Sequence, residues 1–234
     1  MAELREILEK YNIKCTTKQL QQFEEYLNFL LEENKKYNLT AIKEKEDVFY
    51  KHFLDSVLPY QAFNENAKVI DIGTGAGFPS IPLAILRNDL QFVLVDSVEK
   101  KTKFVKMLSE KLKLNNITVI HARCEDLAKM PEYRENFDYS IARAVAPLTS
   151  LLEYCIPFVK VGGKFVAYKG TNYNQELESS KNAIKLLKVH QIQMLRYDIK
   201  EIETTRYCII FEKLEETPKK YPRGQNKARL NPLN

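Results

Sequence analysis

The chain has 234 residues, 44% of them hydrophobic and 29% charged, with a formal net charge of +5, which is ordinary for a soluble globular protein with one substantial core. No apolar run approaches the roughly 20 residues of a membrane span, and the N-terminus does not read as a signal peptide, so we expect a cytoplasmic protein without membrane contact. The four cysteines form no C-x-x-C pair and the three histidines lie far apart, so we expect reduced thiols and no metal site.

Residues 1–60 predict a helical segment. Apolar residues recur at three- and four-residue spacing over 4–11, and again from 20 to 31, where Thr16 or Thr17 is placed to cap the helix. A third helix is predicted over about 45–58. These apolar stripes are most simply core, so the segment should pack on the domain that follows.

A glycine-rich loop over residues 69–79 is the most informative feature of the chain. A β-branched run ends near Asp71, and glycines then occupy every second position before an apolar segment with helical spacing: Gly73, Gly75 and Gly77. Glycine is needed where backbone turns sharply and lies against a ligand. A strand, glycine loop and helix in this order place that ligand at the carboxyl end of a parallel strand.

The loop does not fit the dinucleotide fingerprint G-x-G-x-x-G. The third glycine would fall on Phe78 in one register and on Ser80 in the other. The loop instead resembles the cofactor loop of Rossmann-like S-adenosylmethionine (SAM) methyltransferases, which holds an amino-acid tail and a ribose.

Strand and helix patterns alternate after residue 67, which predicts a doubly wound α/β sheet. The predicted strands cover 68–72, 91–95, 117–121, 139–143, 164–169, 189–197 and 207–211, and the predicted helices cover 80–87, 98–113, 147–159 and 175–187. Two strands after the last helix suit a terminal antiparallel hairpin, as in SAM methyltransferases. We therefore expect a helical segment over 1–60, a seven-stranded, mostly parallel α/β domain over 61–214, and a basic, flexible tail over 215–234.

Polar residues at predicted strand ends are the candidate ligand contacts. Asp96 ends the second strand, where a carboxylate can accept both ribose hydroxyls of an adenosine, in SAM or in NAD alike. Cys124 and Glu125 follow the third strand, where they would meet an adenine edge, although Glu125 could equally be a helix N-terminal acid. Arg143 ends the fourth strand, a position where a charge is unusual unless it is paired or binds a ligand.

The fourth strand ends in Arg143-Ala-Val-Ala-Pro147 and lacks the Asn/Asp-Pro-Pro-Tyr motif of many amino methyltransferases. Cys124 is the only cysteine near a strand end, and we interpret it as a packing residue. Transfer to an atom that already carries a lone pair and no proton, such as guanine N7, needs placement but no general base.

The tail is the only strongly basic part of the chain. Residues 218–234 carry five basic and no acidic residues, whereas the first 217 carry 31 of each. Three prolines and a glycine should prevent a helix there. Such a tail either contacts a polyanion or is simply solvated.

Several motifs together resemble the bacterial small-subunit rRNA guanine-N7 methyltransferases, the glucose-inhibited division protein B family of class I SAM-dependent methyltransferases. These motifs, in order, are Tyr37-Asn-Leu-Thr-Ala-Ile42, His52-Phe-Leu-Asp-Ser56, Asp71-Ile-Gly-Thr-Gly-Ala-Gly-Phe-Pro-Ser-Ile-Pro82, Val95-Asp-Ser97, Ala142-Arg-Ala-Val145, Val161-Gly-Gly163, Lys169-Gly170 and Thr217-Pro-Lys-Lys-Tyr-Pro-Arg223.

The resemblance implies methylation of one guanine of 16S rRNA, in naked RNA or in the 30S subunit, with SAM as methyl donor. It carries SAM contacts over to Gly73, Phe78, Cys124, Glu125 and Arg143, with cysteine standing where alanine is usual. Gly75 and Asp96 complete the predicted cofactor site.

The predicted substrate site holds Arg143, Lys169 and Arg206, which would position the RNA beside the cofactor. The guanine should be flipped into the pocket, and Phe78 is a candidate stacking partner, as is Tyr168, although aromatic residues are more often core. His52 and Asp55 lie one helical turn apart, and we expect a structural hydrogen bond between them.

Other functions stay open on the residues alone. A methyltransferase of small molecules or proteins explains the glycine loop but gives the basic tail no role. An oxidoreductase with a nucleotide cofactor explains Asp96 but not Phe78. The neutral body mildly favours a monomer.

Overall fold

The computed structural model describes residues 2–42 and 44–234. Its strands are β1 (Lys68–Ile72), β2 (Gln91–Asp96), β3 (Ile117–His121), β4 (Phe137–Arg143), β5 (Val159–Lys169), β6 (Val189–Ile199) and β7 (Thr204–Lys213). They form one seven-stranded sheet in the order β3-β2-β1-β4-β5-β7-β6. Strands β1 to β5 pair in parallel, and β7 runs antiparallel to both β5 and β6. The predicted fold, with its terminal antiparallel hairpin, is confirmed.

Helices flank both faces of this sheet. In chain order, the α-helices and α-helical turns among the described residues are α1 (Ala2–Lys10), α2 (Thr17–Tyr37), α3 (Lys45–Val48), α4 (Asp55–Val57), α5 (Ser80–Leu86), α6 (Glu99–Lys111), α7 (Cys124–Leu127), α8 (Leu148–Cys155), α9 (Tyr173–Ser179), α10 (Lys181–Leu186) and α11 (Lys227–Leu230). The strand order reverses between β1 and β4, which is where open α/β sheets bind ligands.

Successive residues of the buried strands supply two cores, one on each face of the sheet, because side chains alternate along a strand. Val69 of β1 belongs to the core under α2, α5 and α6, and Ile70 belongs to the core under α8. Four of the five β1 residues are buried, which explains why this strand is apolar almost throughout rather than at alternate positions.

The N-terminal helices share the first of these cores. Thr16 caps α2 because its hydroxyl accepts a hydrogen bond from the Gln19 backbone N–H, and the Gln19 side-chain oxygen accepts one from the Thr16 backbone N–H, so the predicted cap is confirmed. Gln22 reaches across to donate to the carbonyl of Leu112, after α6. The predicted third helix is present but widens into a π-helical turn over Phe49–Leu54.

Several predicted boundaries are wrong: the helix predicted over 147–159 ends at Cys155, and β7 begins at Thr204 rather than at 207. Gly162 and Gly163 lie inside β5, not before it, at the point where its register with β4 shifts. A bulge of this kind needs a residue without a Cβ, because a Cβ at Gly163 would come within 2.8 Å of the Asp138 carbonyl oxygen. The helix predicted over 175–187 is divided at Ser180, whose buried hydroxyl donates to the carbonyl of Glu176.

The tail differs most from its prediction, since it is docked and contains a helical turn, α11. Tyr221 and Ala228 are buried, and Arg223 forms an ion pair with Glu153 at 2.7 Å. Glu153 is completely buried in α8, where an unpaired carboxylate would be very unfavourable, so it needs a cation from elsewhere in the chain. The prolines limit regular structure in the tail but do not prevent it from packing.

Among the described residues, no helix is long and apolar enough to cross a membrane.

Candidate functional site

Two neighbouring cavities open at the carboxyl ends of the parallel strands. The first has a volume of about 280 Å³ and lies over β1, β2 and α7; the second is wider, about 750 Å³, and lies over β4, β5 and the π-helical turn. The loop Ala144 to Ala146, directly after β4, lines both. The two cavities therefore meet at the strand-order reversal, beside Arg143.

The glycine loop meets the first cavity at Gly73. Gly73 has a φ of +78°, and a Cβ there would lie 2.6 Å from Cγ2 of Val145. Gly75 has a φ of +62°, with no backbone or side-chain atom of another element near its missing Cβ. Only glycine adopts these angles freely, so Gly73 presents bare backbone to the cavity, whereas Gly75, also predicted to contact the cofactor, does not line it.

Asp71, at the end of β1, is fully buried beneath this loop. Its Oδ2 accepts a hydrogen bond of 2.7 Å from the Ser80 hydroxyl at the start of α5. Burial raises the pKa of the Asp71 carboxyl to about 7, and the bond from Ser80 only partly offsets this. The residue ties the strand to the helix on either side of the glycine loop.

Asp96, at the end of β2, also lines the first cavity and is 6% exposed. Its Oδ2 accepts from the Gly75 backbone N–H and its Oδ1 from that of Val98, both at 2.9 Å. A carboxylate oxygen has two lone pairs, so each retains one acceptor site for a ligand. The carboxylate thus also fixes the glycine loop, a role that the sequence did not reveal.

Cys124 and Glu125 begin α7 on the opposite wall. The Cys124 thiol donates to Oε2 of Glu125 at 3.4 Å, and burial raises the pKa of this thiol well above its usual range. A thiol that stays protonated is no nucleophile, in agreement with a packing role. Oε1 of Glu125 accepts from the backbone N–H of Asn226 in the tail at 3.3 Å.

Arg143 stands between the two cavities and lines the second. Its guanidinium donates to Oδ2 of Asp55 at 2.8 Å and to the carbonyls of Lys51 and His52 at 3.4 Å. Those carbonyls belong to the π-helical turn, whose wider winding leaves them accessible to a side chain. The Arg143 guanidinium, which the sequence predicted to be paired or to bind a ligand, is thus paired with Asp55, a partner that the sequence did not identify.

His52 completes this arrangement. An arginine only donates, so Nδ1 of His52, 3.2 Å from Nη2 of Arg143, is the acceptor, and the proton resides on Nε2, which donates to the Thr40 hydroxyl at 2.9 Å. Burial and the Arg143 charge lower the pKa of His52 to about 3. The predicted His52–Asp55 hydrogen bond is wrong, because Arg143 lies between the two side chains and binds both.

Phe78 and Tyr168 are both buried; Tyr168 lines the second cavity and Phe78 lines neither. Phe78 is 6% exposed and its ring stacks on His52, with centroids 4.3 Å apart. Tyr168 is 4% exposed and donates its hydroxyl to the Ser56 carbonyl. Phe78 also stacks on Tyr26 of α2, so its ring packs between α2 and the π-helical turn that binds Arg143.

The predicted basic residues Lys169 and Arg206 both line the second cavity. Lys169 forms a 2.6 Å ion pair with Glu176 of α9, and Arg206 lies 3.5 Å from Asp55. The structure thus places these two cations and Arg143 along one cavity, each beside a carboxylate.

Comparisons with known proteins agree with this geometry. A family model described as rRNA small subunit methyltransferase G matches residues 19–205. The chain belongs to this family.

Relatives and solved structures point the same way. The Ribosomal RNA small subunit methyltransferase G of Alkaliphilus oremlandii is 40% identical over 237 aligned positions, covering 99% of each chain, and that of Acetivibrio thermocellus is 43% identical, covering 95% of this chain and 92% of the relative. Among solved structures, M. jannaschii TYW2 in complex with AdoMet has a TM-score of 0.53 at 20% identity, over 68% of this chain and 77% of its own. At that identity the likeness establishes only the fold.

The residues that support the predicted site residues could not be identified from the sequence. The sequence points to His52 and Asp55 but does not show that they are the hydrogen-bond partners of Arg143. The pattern that could have indicated it is the one-turn spacing of His52 and Asp55, together with an arginine at a strand end that needs a partner. Asn226 and Arg229 line the first cavity, although the tail was assigned to RNA or solvent. Among the described residues, no group of three His, Cys, Asp or Glu side chains is arranged to hold a metal ion.

Proposed function

We propose that this protein transfers a methyl group from SAM to N7 of a guanine in 16S rRNA. The observation that carries the proposal is the pair of cavities that meet at residues 144–146. The first is lined by Gly73 together with both acids and cations, and the second is wider and holds Arg143, Lys169 and Arg206 beside two carboxylates. Family membership and the described geometry support the same reaction class.

The first cavity fits SAM in its donor set. The Gly73 position has no room for a side chain and presents backbone to a ligand. Asp96 offers acceptor lone pairs suited to ribose hydroxyls, and Glu125 lies where an adenine edge would be met. SAM, when bound, supplies a methyl group on a positively charged sulfur. Arg143, at the junction, is the cation suited to its amino-acid carboxylate.

The residues around the junction suit placement rather than proton removal. Nδ1 of His52 is occupied by Arg143, and the lowered pKa keeps the imidazole neutral. The Cys124 thiol stays protonated. Guanine N7 has a lone pair and no proton, so in-line placement of the base is what the protein must provide.

The second cavity would hold the flipped guanine and its phosphates. Lys169 and Arg206 are the cations that would contact the RNA backbone, and Glu176 keeps Lys169 in place. The guanine must be unstacked from the RNA helix so that its N7 can approach the cofactor. We further propose that the protein acts as a monomer in the cytoplasm, on 16S rRNA or the 30S subunit.

The test is where labelled methyl from SAM goes in an extract of a strain that lacks this gene. We expect label in small-subunit RNA, with Arg143→Gln reducing incorporation at least tenfold and the exposed Arg196→Gln leaving it within twofold. Label confined to protein or to small molecules would favour the alternative methyltransferases and refute the RNA assignment.

A further inference from the structure

The tail is held against α8 by a polar face of that helix. Ser150, Glu153 and Tyr154 lie one turn apart and all bind the tail. The Ser150 hydroxyl donates to the Ala228 carbonyl at 2.8 Å, and the Tyr154 hydroxyl donates to Oδ1 of Asn226 at 3.0 Å. Glu153 accepts from both the backbone and the guanidinium of Arg223.

This docking brings the tail to the first cavity. Asn226 and Arg229 line it, as do Gly73 and Asp96. The Asn226 backbone N–H donates to Glu125, so the tail also fixes a predicted cofactor contact. The Arg229 guanidinium has no hydrogen bond or ion pair within the described residues and is exposed at the cavity rim.

We propose that residues 223–230 are part of the SAM site and that Arg229 stacks its planar guanidinium on the adenosine of the cofactor. The proposal rests on the proposed function, because it assigns SAM to the first cavity. A guanidinium is flat, weakly hydrated and well suited to the face of an aromatic ring. The neighbouring acids provide hydrogen-bond acceptors for the edges and hydroxyls of the same nucleoside, and Arg229 covers its open face.

The distribution of tail cations favours this role over a purely RNA-binding arm. Arg223 is committed to the buried Glu153, and Arg229 faces the cavity. Lys227 belongs to the same helical turn as Arg229, carries the same charge and is exposed, but does not line the first cavity. Comparing substitutions of Arg229 and Lys227 therefore distinguishes a contact with the cofactor from a general effect of positive charge.

The experiment is isothermal titration of the full-length protein with SAM and with S-adenosylhomocysteine, comparing R229A with K227A. We expect R229A to raise both dissociation constants about tenfold, since loss of one stacked cation typically has an effect of this order, and K227A to leave them within twofold. R229K should lose nearly as much as R229A, because a lysine keeps the charge but not the plane.

Equal effects of R229A and K227A, or unchanged SAM affinity in R229A, would overturn the inference, as would full recovery of affinity in R229K. Thermal unfolding without ligand should be the same for all variants, because both side chains are exposed. If the unmutated protein itself fails to bind SAM, the proposed function fails, which this design distinguishes from failure of the tail assignment.

Discussion

Asp71→Asn should change how the stability of this protein depends on pH. In the folded chain, burial raises the pKa of the Asp71 carboxyl from 3.8 to about 7. A carboxyl group whose pKa is higher in the folded than in the unfolded chain binds its proton more tightly when folded. It therefore favours folding below pH 3.8, and this contribution is lost as the pH rises toward 7.

The size of the effect follows from the shift. Each pKa unit corresponds to about 1.4 kcal/mol, so a rise of roughly three units amounts to about 4 kcal/mol between strongly acidic and basic solution. Between pH 5 and pH 8, linkage gives a loss of about 2.5 kcal/mol from this single group. Full burial of Asp71 means that solvent screening does not reduce the figure.

Urea unfolding at pH 5 and pH 8 measures this directly, as the difference in unfolding free energy between the native protein and Asp71→Asn. The variant should gain about 2.5 kcal/mol relative to the native protein on going to pH 8. Asp126→Asn, which removes an exposed carboxylate, is the control and should shift by less than about 0.5 kcal/mol. A native–variant difference that is equal at the two pH values would refute the reasoning.

Three further predictions follow from the site and the tail. Gly73→Ala should weaken SAM binding at least tenfold in titration calorimetry, because of its positive φ and the 2.6 Å approach of a Cβ to a valine methyl, whereas Gly170→Ala, with open space around it, should stay within twofold. His52→Ala should weaken SAM binding about tenfold, because it releases Arg143, which His52 orients. It should leave the shape of the pH–rate profile between pH 5 and 8 unchanged, since the pKa of His52 is about 3. Loss of a limb of that profile near pH 6.5 would contradict this. Arg223→Ala should lower the unfolding free energy by about 3–5 kcal/mol in urea, because Glu153 then remains buried and unpaired; a loss below about 1 kcal/mol would show that the tail is not anchored there.

The sheet and the glycine loop could be predicted from local patterns. The boundaries of β1 and β3 agree with the prediction, since short apolar runs bounded by turn residues mark buried parallel strands. The glycine loop could be predicted because its backbone angles and close packing require glycine, and both are local properties of the sequence. That Asp96 and Glu125 lie at the same cavity could be predicted because parallel strands end at one edge of the sheet.

The partners of the charged residues could not be predicted in the same way. Arg143 is bound by a π-helical turn some 90 positions earlier in the chain, and a π-helical turn has no recognised sequence pattern. The docked tail depends on Glu153, a fully buried acid and the only charged residue of α8. That residue signalled a missing cation, but only the fold identifies Arg223 as the partner.

The most direct test of the central claim is to incubate 16S rRNA from a strain lacking this gene with the protein and SAM, and then to cleave the chain at 7-methylguanosine. We expect a single cleavage site in the small-subunit RNA, absent when SAM is omitted. Methyl label in another base or at another guanine atom, without cleavage, would contradict it.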